Sequence, residues 1–429
     1  MFKQQLYIGI DLGTSGVRAC AIDHNKTLIH SCSSSLPAAD IDQDSITQDP
    51  QLWWLATRQV LTELLAAIDA SQLVAISVNG TSGTVLACDQ QGTPLAPARM
   101  YNDRACSEQA ALLDGIAPAD SAAHGASCGL AKLLYLHQQY PQAKHLLHQA
   151  DWIVGKLCGR FDISDENNAL KSGYDPRQGK WPDWLNQLPI EVKKLPDIVP
   201  PGRVIQAIDN RLFGHLRLNP QCQLISGTTD SIAAFIATGA SQPGDAVTSL
   251  GSTLVLKIIS DKPIFSPEYG IYSHKLGPYW LAGGASNSGG AVLKHYFSQQ
   301  QLNQMTSQLQ PAHLTGLNYY PLLQQGERFP VNDPQLQPRL EPAAHSEVEF
   351  FQAILEGIGQ IEREGYNKLH QLGAPFPVQV ETAGGGSHNE AWSLIRQQLL
   401  GVPVKQAVHS DACYGSALLA WQGCNPAES

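Results

Sequence analysis

The sequence is poor in charged residues and contains no cluster of basic ones. Charged residues make up 15% of the 429 residues, against about 25% in a typical globular domain. Acidic residues number 38 and basic residues 28, which gives a net charge of −10 at pH 7. No group of Lys and Arg residues could follow a phosphate backbone, so nucleic acid is not an expected partner.

Paired cysteines and long apolar runs are also absent. The nine cysteines are odd in number and form no CxxC pair, which excludes a disulfide framework and a zinc knuckle. No apolar run reaches the roughly 20 residues that span a bilayer, and residues 1–5 contain no signal-peptide core. We therefore expect a protein of the cytosol, or of an organelle stroma after removal of a transit peptide, with no membrane partner.

The remaining composition is that of a packed α/β protein. Hydrophobic residues make up 43% of the chain, and at about 150 residues per domain the length predicts two domains, or three. Periodicity predicts helices over 50–68, 346–372 and 389–400, and strands over 73–78 and 378–380. A Gly/Pro/Asp break places the domain boundary near Ala240, which gives domains 1–240 and 241–429. The last helix, near 414–422, can pack on either domain.

Two similar hairpin sequences indicate an internal duplication. Residues 7–23 predict two strands around a Gly/Thr/Ser turn, and residues 246–259 repeat the pattern. Helices and strands alternate after both hairpins. We therefore expect two similar α/β domains that face one cleft.

The turns of these hairpins are candidate phosphate-binding sites. Their backbone N–H groups and hydroxyls suit phosphate oxygens, and the residues concerned are Gly13, Thr14, Ser15, Gly251 and Ser252. Asp11 would repel phosphate unless a cation lay between them. It is therefore a candidate for holding Mg²⁺ through water, or for holding a substrate hydroxyl. A plain tight turn is the alternative interpretation of either hairpin alone.

A third glycine cluster lies where a predicted strand ends and a helix begins, at 384–386, and residues 289–294 form a similar passage. Helix N-termini favour anions. Asn389 and Trp392 share a helix face on which an adenine could lie, although a core position for Trp392 is the alternative. These two passages contain Gly385, Gly386, Gly290 and Lys294.

Asp230 ends a turn of small residues before an apolar run. Helix capping is the ordinary role of such a residue. Beside phosphate-binding loops, however, a carboxylate can accept the proton of an attacking hydroxyl. His145 and His148 are three residues apart and predict a surface helix rather than a metal site.

Taken together, these segments resemble the FGGY-type carbohydrate kinases, a family with the duplicated actin-like, ribonuclease-H-like ATPase fold. The resemblance runs nearly end to end. Residues 8–15 and 249–253 are similar to the family's two phosphate motifs, 226–230 to its catalytic-base segment, and 384–392 to its adenosine motif. Further similar segments are 151–161, 321–330 with Gly326-Glu327-Arg328, and 349–357.

The resemblance implies an enzyme that transfers the γ-phosphate of ATP to a sugar, with Mg²⁺ as cofactor. The first domain would hold the sugar and the second the nucleotide. By position, the residues that line the nucleotide site would be Gly290, Lys294, Gly385, Gly386, Asn389 and Trp392. Asp230 would be the general base, and the sugar would be bound by Asp11, Ser82, Asp103 and Asp230. The implied partners are the small-molecule sugar and ATP, in a monomer or homodimer.

The segment 78–83 indicates a branch within the family. Xylulose kinase-like members carry a Met-His pair after a glycine, whereas Thr81 and Ser82 follow Gly80 in this chain. The short chain and the Gly-Thr-Ser-Gly segment resemble the D-ribulose kinases of plants and cyanobacteria, which implies phosphorylation of the C5 hydroxyl of D-ribulose. A D-xylulose kinase or another sugar or polyol kinase is the alternative within the family. An actin-like or Hsp70-like ATPase and a sugar-binding regulator without catalysis are the alternatives from other classes.

Overall fold

The structure is a computed structural model that describes residues 5–426 except 215 and 217. The chain divides into two compact units. The first contains the residues up to Ala237 together with those from Asp411 onward, and the second contains Thr238–Ser410. The last helix, whose placement the sequence leaves open, belongs to the first unit.

The first unit begins with strands and then alternates strands with helices. Its strands are β1 (Leu6–Leu12), β2 (Gly16–Asp23), β3 (Leu28–Ser35), β4 (Asp40–Asp42), β5 (Ser45–Gln48), β6 (Leu73–Gly80), β7 (Val85–Cys88), β8 (Ala98–Arg99), β9 (His145–His148), β10 (Ile163–Asp165), β11 (Asp197–Val199), β12 (Val204–Ala207) and β13 (Gln223–Ile225). Its first six α-helices are α1 (Pro50–Ala67), α2 (Ser107–Asp114), α3 (Gly129–Gln139), α4 (Gln149–Cys158), α5 (Glu166–Leu170) and α6 (Asp230–Ala237).

The second unit repeats the opening hairpin. Its strands are β14 (Asp245–Leu250), β15 (Leu254–Ser260), β16 (Phe265–Ser266), β17 (Ile271–Tyr272), β18 (His274–Leu276), β19 (Tyr279–Ser286), β20 (Gln379–Ala383) and β21 (Val404–Gln406). Its helices are α7 (Gly290–Tyr296), α8 (Gln299–Thr306), α9 (Glu347–Gln371) and α10 (Glu390–Leu400). Helix α11 (Ala412–Cys424) returns to the first unit, and the short 3₁₀ helices are Ala70–Gln72, Asp183–Gln187, Val192–Lys194, Asn210–Phe213, Pro267–Tyr269 and Gly385–His388.

The main sheets of the two units share the order of five strands, β3-β2-β1-β6-β13 in the first and β19-β15-β14-β20-β21 in the second, and each has one further edge strand, β12 or β18. The first has the strand order β12-β13-β6-β1-β2-β3, and the second β18-β19-β15-β14-β20-β21. In each sheet an antiparallel pair (β1 with β2, β14 with β15) continues into a strand parallel to its first member, β6 or β20. The predicted duplicated α/β fold is confirmed. In sheets of this kind, ligands bind beyond the carboxyl ends of the parallel strands.

The helix boundaries follow from local capping. Asp49 accepts a hydrogen bond from the Gln51 N–H group ahead of Pro50, the first residue of α1. Ser346 accepts one from the Glu349 N–H group at the start of α9. Such side chains satisfy N–H groups that have no partner within the helix. Among the described residues, no helix is long and apolar enough to cross a membrane.

The predicted surface helix around His145 and His148 is wrong. Both residues belong to strand β9, and His148 is fully buried. His148 Nδ1 lies 2.7 Å from an oxygen of Asp151, and Nε2 lies 2.8 Å from the Ser172 hydroxyl. The alternation of a strand places His148 on a buried face, where hydrogen bonds replace its hydration.

Helix α11 lies directly on β1 and α6 because glycines allow a very close approach. A Cβ atom on Gly9 of β1 would stand 1.9 Å from the Cys413 carbonyl oxygen and 2.2 Å from the Ala417 nitrogen. A Cβ atom on Gly415 would stand 1.8 Å from the Ala233 carbonyl oxygen in α6. Each of these distances is far below van der Waals contact, so any side chain would separate the elements.

We expect Gly9→Ala to destabilise the protein because the added methyl group must displace α11. Overpacking of this kind costs about 1–3 kcal/mol or more. Urea unfolding of the variant and the wild type would measure this difference in stability. Gly115→Ala is the matched control, because its Cβ atom would meet no atom closer than 3.7 Å and its φ is −86°. Equal stability of the two variants would contradict the close packing of α11 on β1.

Candidate active site

Asp11 is the penultimate residue of β1 and is almost completely buried. Its register partners are Arg18 on β2 and Asn79 on β6. Arg18 Nη1 donates to Oδ2 at 3.2 Å, whereas the buried Oδ1 atom has no hydrogen-bond partner among the described residues. Burial raises the pKa of Asp11 to about 6, the charge of Asp230 adds to the rise, and Arg18 opposes it. The structure thus brings Asp11 and Asp230 together.

Asp230 is the first residue of α6. The Ile232 and Ala233 N–H groups donate to the Thr229 carbonyl, and Asp230 Oδ1 accepts the Ser231 N–H group at 2.6 Å. The side chain therefore lies at the helix N-terminus, where the helix dipole favours a negative charge. This placement agrees with a capping contact and also leaves the carboxylate beside Asp11. The role of general base stays a prediction.

Ser82 follows β6, and its Oγ atom is buried without a hydrogen-bond partner among the described residues. Thr81 is different. Its N–H group and its hydroxyl lie 3.0 and 2.9 Å from Gln149 Oε1, and its hydroxyl lies 2.6 Å from that of Thr84. Of the two residues after Gly80, Thr81 is thus fixed by protein contacts, whereas the Ser82 hydroxyl has no hydrogen-bond partner among the described residues.

Asp103 joins two segments of the first unit. Its side chain is fully buried, and Oδ2 accepts the Ile46 N–H group at 2.7 Å and Arg99 Nη1 at 2.9 Å. The thiol of Cys106 lies 4.0 Å from Oδ1. These contacts give Asp103 a structural role, and its predicted contact with the sugar stays a prediction.

Buried polar atoms without a partner concentrate near Asp11. Such atoms are rare in folded proteins unless water or a ligand completes them. The segments that carry them are adjacent, because Asp11 is in register with Asn79 and Gly80 forms a bridge with Thr229. Among the described residues, the atoms in these segments and next to Thr81 are Asp11 Oδ1, Asn79 Oδ1, Ser82 Oγ, Gln149 Nε2 and Thr229 Oγ1.

Two buried amides of this region are absent from the predicted site. Gln149 holds Thr81 as described, and Asn167 Nδ2 donates to the Thr228 hydroxyl at 2.9 Å, two residues before Asp230. Both amides come from chain segments remote in sequence. The available signal is weak: Gln149 lies close to apolar residues on both sides, whereas Asn167 lies among polar residues that read as exposed.

The first hairpin turn is accessible. Its Gly13 N–H group donates to the Gly16 carbonyl at 3.0 Å, and the side chains of Thr14 and Ser15 are exposed. This is a tight turn with two hydroxyls presented at its end. The geometry fits the predicted phosphate contact and equally a plain turn, so the assignment stays a prediction.

In the second unit, the equivalent turn is joined to the start of α7. The Gly290 N–H group donates to the Gly251 carbonyl at 2.9 Å, and the Ala291 N–H group to the Ser252 carbonyl at 3.0 Å. Lys294 is exposed on α7. Two of the predicted nucleotide-binding passages therefore lie side by side.

The third glycine passage packs against the same turn. Gly384 has φ +81°, and a Cβ atom there would stand 2.8 Å from the Leu250 carbonyl oxygen. A Cβ atom on Gly386 would stand 2.7 Å from a ring carbon of Trp392, whereas Gly385 has no atom within 4 Å. The structure thus brings Gly251, Gly290 and 384–386 into one cluster of exposed backbone.

Trp392 does not present a ring face for an adenine. Its side chain is 2% exposed, and Nε1 donates to the Leu355 carbonyl at 3.1 Å. The predicted stacking role is therefore wrong, and Trp392 supports Gly386 from the core. Asn389 caps α10 by accepting the Trp392 N–H group, and its Nδ2 donates to the Thr306 hydroxyl at 3.3 Å.

The two units, each built on a sheet that opens with the same hairpin, have the architecture of the actin-like ATPase fold. The chain belongs to the FGGY family of carbohydrate kinases: residues 6–237 match its N-terminal domain and residues 246–423 its C-terminal domain. It is therefore an ATP-dependent sugar kinase.

Relatives and solved structures agree with this family. The chain is 24% identical to a xylulose kinase of Escherichia coli (strain K12) over 445 residues, which cover 99% of this chain and 91% of the relative. It is 20% identical to a gluconokinase of Bacillus subtilis (strain 168), over 96% of this chain and 86% of the relative. The fold matches the crystal structure of a xylulose kinase from Rhodospirillum rubrum with a TM-score of 0.85 at 22% identity, over 98% of this chain and 90% of that one.

We expect Asp11→Asn to stabilise the protein at pH 8. The folded pKa of Asp11, about 6, lies above its ordinary value of 3.8, so folding favours the protonated form and wild-type stability falls as the pH rises from about 4 to about 6. At about 1.4 kcal/mol per pKa unit, the ionised carboxylate lowers stability by on the order of 3 kcal/mol above this range. The isosteric amide carries no charge and avoids this cost.

Urea unfolding of both proteins at pH 5 and pH 8 tests this. The stability difference in favour of Asp11→Asn should be larger at pH 8 than at pH 5. Asp40→Asn, at an exposed position of the same unit, is the control and should show no such change. A difference for Asp11→Asn that does not depend on pH would contradict the assignment.

Proposed function

We propose that the protein is a D-ribulose kinase, which transfers the γ-phosphate of ATP to the C5 hydroxyl of D-ribulose and releases D-ribulose 5-phosphate and ADP. The observation that carries this proposal is the Ser82 hydroxyl, buried and without a partner among the described residues. Ser82, together with Thr81, stands where xylulose kinase-like members carry a bulky Met-His pair. A site built to pair a sugar hydroxyl rejects an isomer that leaves its buried polar groups unpaired.

In this proposal the sugar binds in the first unit. The partnerless atoms near Asp11 supply a carboxylate oxygen, hydroxyls and amide atoms, which suit a molecule with several hydroxyl groups. Asp230 accepts the proton of the C5 hydroxyl, and Asp11 and Ser82 hold further hydroxyls. The reaction then requires the γ-phosphate to reach the hydroxyl held at Asp230, because positioning provides most phosphoryl-transfer catalysis.

The nucleotide binds in the second unit, where the glycine loops cluster. Backbone N–H groups at Gly251 and Gly385 can approach phosphate oxygens without obstruction by side chains. Gly290, whose N–H group donates to the Gly251 carbonyl, holds this turn against α7. Lys294 adds a positive charge, and Asn389 lies at the start of α10. Gly13, Thr14 and Ser15 of the first unit are proposed as further phosphate contacts.

The residues present fit Mg²⁺ bound with the nucleotide. Among the described residues, no group of three or more His, Cys, Asp or Glu side chains could hold a metal ion. Mg²⁺ does not require such a cage, because it keeps several waters and commonly uses one or two carboxylates together with phosphates. Asp11, with its partnerless Oδ1 atom, is the residue that would hold it through water. When bound, the ion would neutralise charge on the phosphates.

A D-xylulose kinase is the second candidate. Curated relatives over nearly the whole chain are xylulose kinases, at 24% identity for the Escherichia coli and Klebsiella pneumoniae proteins. Such identity allows a change of substrate through a few pocket residues, so the residues after Gly80 decide between the two sugars.

We expect Asp230→Asn to lower the turnover number by about 10²–10⁴, because the variant loses the proton acceptor. Calorimetric ATP affinity should stay within about twofold of wild type, since the nucleotide is assigned to the other unit. Asp49→Asn is the matched control: Asp49 also accepts an N–H group at a helix start of the first unit. If Asp230→Asn kept more than a tenth of wild-type turnover at saturating sugar, Asp230 would be a helix cap alone.

Coupled ADP detection with a panel of ketoses and polyols tests the substrate. The specificity constant should be highest for D-ribulose, and Ser82→Ala should lower it by about threefold to tenfold, the usual range for one hydrogen bond. Thr81→Ser is the control and should have little effect, because its hydroxyl keeps its contacts with Gln149 and Thr84. A specificity constant for D-xylulose or glycerol at least equal to that for D-ribulose would overturn the proposal.

A further inference from the structure

Glu327 is a buried carboxylate of the second unit and lies outside the proposed set of nucleotide-binding residues. It belongs to the segment that contains Gly326, Arg328 and Phe329, and its side chain is 3% exposed. Oε2 accepts the Ser286 hydroxyl at 2.5 Å and the Tyr320 hydroxyl at 3.2 Å. Oε1 accepts the backbone N–H groups of Asn287 and Arg328 at 2.8 and 2.9 Å. The carboxylate thus gathers four donors.

The donors around Glu327 fix the chain that leads into α7. The Ser286 hydroxyl also accepts the Ser288 N–H group at 3.0 Å, and Asn287 Nδ2 donates to the Gly326 carbonyl at 3.0 Å. The Ser288 hydroxyl donates to the Pro321 carbonyl at 2.5 Å. Residues 286–288 are therefore held along their whole length by the 320–328 segment.

The other side of this short segment is joined to the hairpin turn of the second unit. The Leu254 N–H group donates to the Ser288 carbonyl at 2.8 Å, and the Gly290 N–H group donates to the Gly251 carbonyl. A Cβ atom on Gly289 would stand 2.7 Å from the Thr253 carbonyl carbon. Any movement of 286–288 therefore displaces Gly289 and Gly290 relative to Gly251 and Ser252.

A carboxylate suits this position better than any neutral side chain. It has two oxygens with about four acceptor sites, and no donor of its own. An amide in the same place would direct an NH₂ group at hydroxyls that already donate. Two donors would lose their acceptor, and buried donors without an acceptor are costly.

We propose that Glu327 is a positioning residue for nucleotide binding: through Ser286 and Asn287 it holds the start of α7 against the Gly251–Ser252 turn, and so fixes this turn where it meets the phosphates. The Gly290 N–H group is engaged by the Gly251 carbonyl and joins the two segments. This inference rests on the proposed assignment of the nucleotide to the second unit. It does not depend on which sugar is phosphorylated. Glu327 acts through Ser286 and Asn287 and is not assigned a contact with ATP.

The test is calorimetric binding of ADP and ATP to Glu327→Gln in the absence of sugar. We expect both dissociation constants to rise tenfold or more. The KM for sugar at saturating ATP should stay within about twofold of wild type, which a general loss of structure would not preserve. Ser286→Ala, which removes one donor to Glu327 and the acceptor for Ser288, should weaken nucleotide binding in the same direction. It also keeps the inference testable if Glu327→Gln does not fold.

Glu356→Gln is the matched control. Glu356 is another buried carboxylate of the second unit, 7% exposed, and it accepts the N–H group and hydroxyl of Thr315 and an N–H bond from Gln352. Glu356→Gln should lower the melting temperature of the protein and leave its affinity for ADP and ATP close to that of the wild type. Wild-type nucleotide affinity in Glu327→Gln or in Ser286→Ala would overturn the inference, as would an equal loss of affinity in Glu356→Gln. A wild type that binds ATP but prefers another sugar would overturn only the D-ribulose assignment.

Discussion

The burial of negative charge at Asp11 is the constraint on which the first unit depends. Asp230 and Asp411 both raise the pKa of Asp11, and the partly exposed Arg18 only partly opposes them. These two acidic residues stand at the starts of α6 and α11. Because α11 is held between β1 and α6 by contacts at Gly9 and Gly415, the backbone leaves the carboxylates no freedom to move apart. Close packing of apolar elements thus maintains an electrostatic arrangement that is unfavourable by itself.

In the second unit, backbone contacts rather than buried like charges determine the geometry of the candidate site. Its candidate loops carry little charge and are positioned by backbone contacts among glycines. A buried ion pair lies in the core of this unit. Arg396 makes two hydrogen bonds with Glu362, at 2.6 and 2.7 Å, and a third at 2.8 Å with Thr382 of β20. Glu362 also accepts the hydroxyl of Thr248 on β14. A buried, fully bonded pair of this kind costs much if one partner is lost, so it fixes the two parallel strands whose ends carry the glycine loops.

The sequence predicts the elements well where the pattern is local. Helices α1, α9 and α10 and strands β6 and β20 lie close to their predicted bounds because periodicity and capping are encoded within each segment. Asp11 and Asp230 lie close enough for their charges to interact, as the family resemblance implies. The errors concern burial by distant segments. His148 and Trp392 each look available along the chain, and packing against other segments removes them from solvent.

The residues missed by sequence reasoning share that cause. Gln149, Asn167, Glu327 and Arg396 are polar side chains whose partners come from another part of the chain. No periodicity separates a buried, hydrogen-bonded amide or carboxylate from an exposed one. A polar residue next to apolar ones, as Arg396 is next to Ile395 in α10, is a weak signal of burial and does not identify the partner.

This difference between local and distant information bears on substrate choice. In the sequence, Thr81 and Ser82 together stand in the place of a Met-His pair. On that basis both short side chains are expected to change the volume of the proposed sugar site and its hydrogen bonds. In the structure, Gln149 and Thr84 engage the Thr81 hydroxyl, so Thr81 contributes shape to the β6 end but no spare hydrogen bond. In the proposed D-ribulose kinase, discrimination between pentose epimers would fall on Ser82, together with the neighbouring partnerless atoms of Asn79 and Thr229. One hydroxyl with no competing partner distinguishes epimers more sharply than two that can bond each other, since the wrong epimer leaves it unpaired.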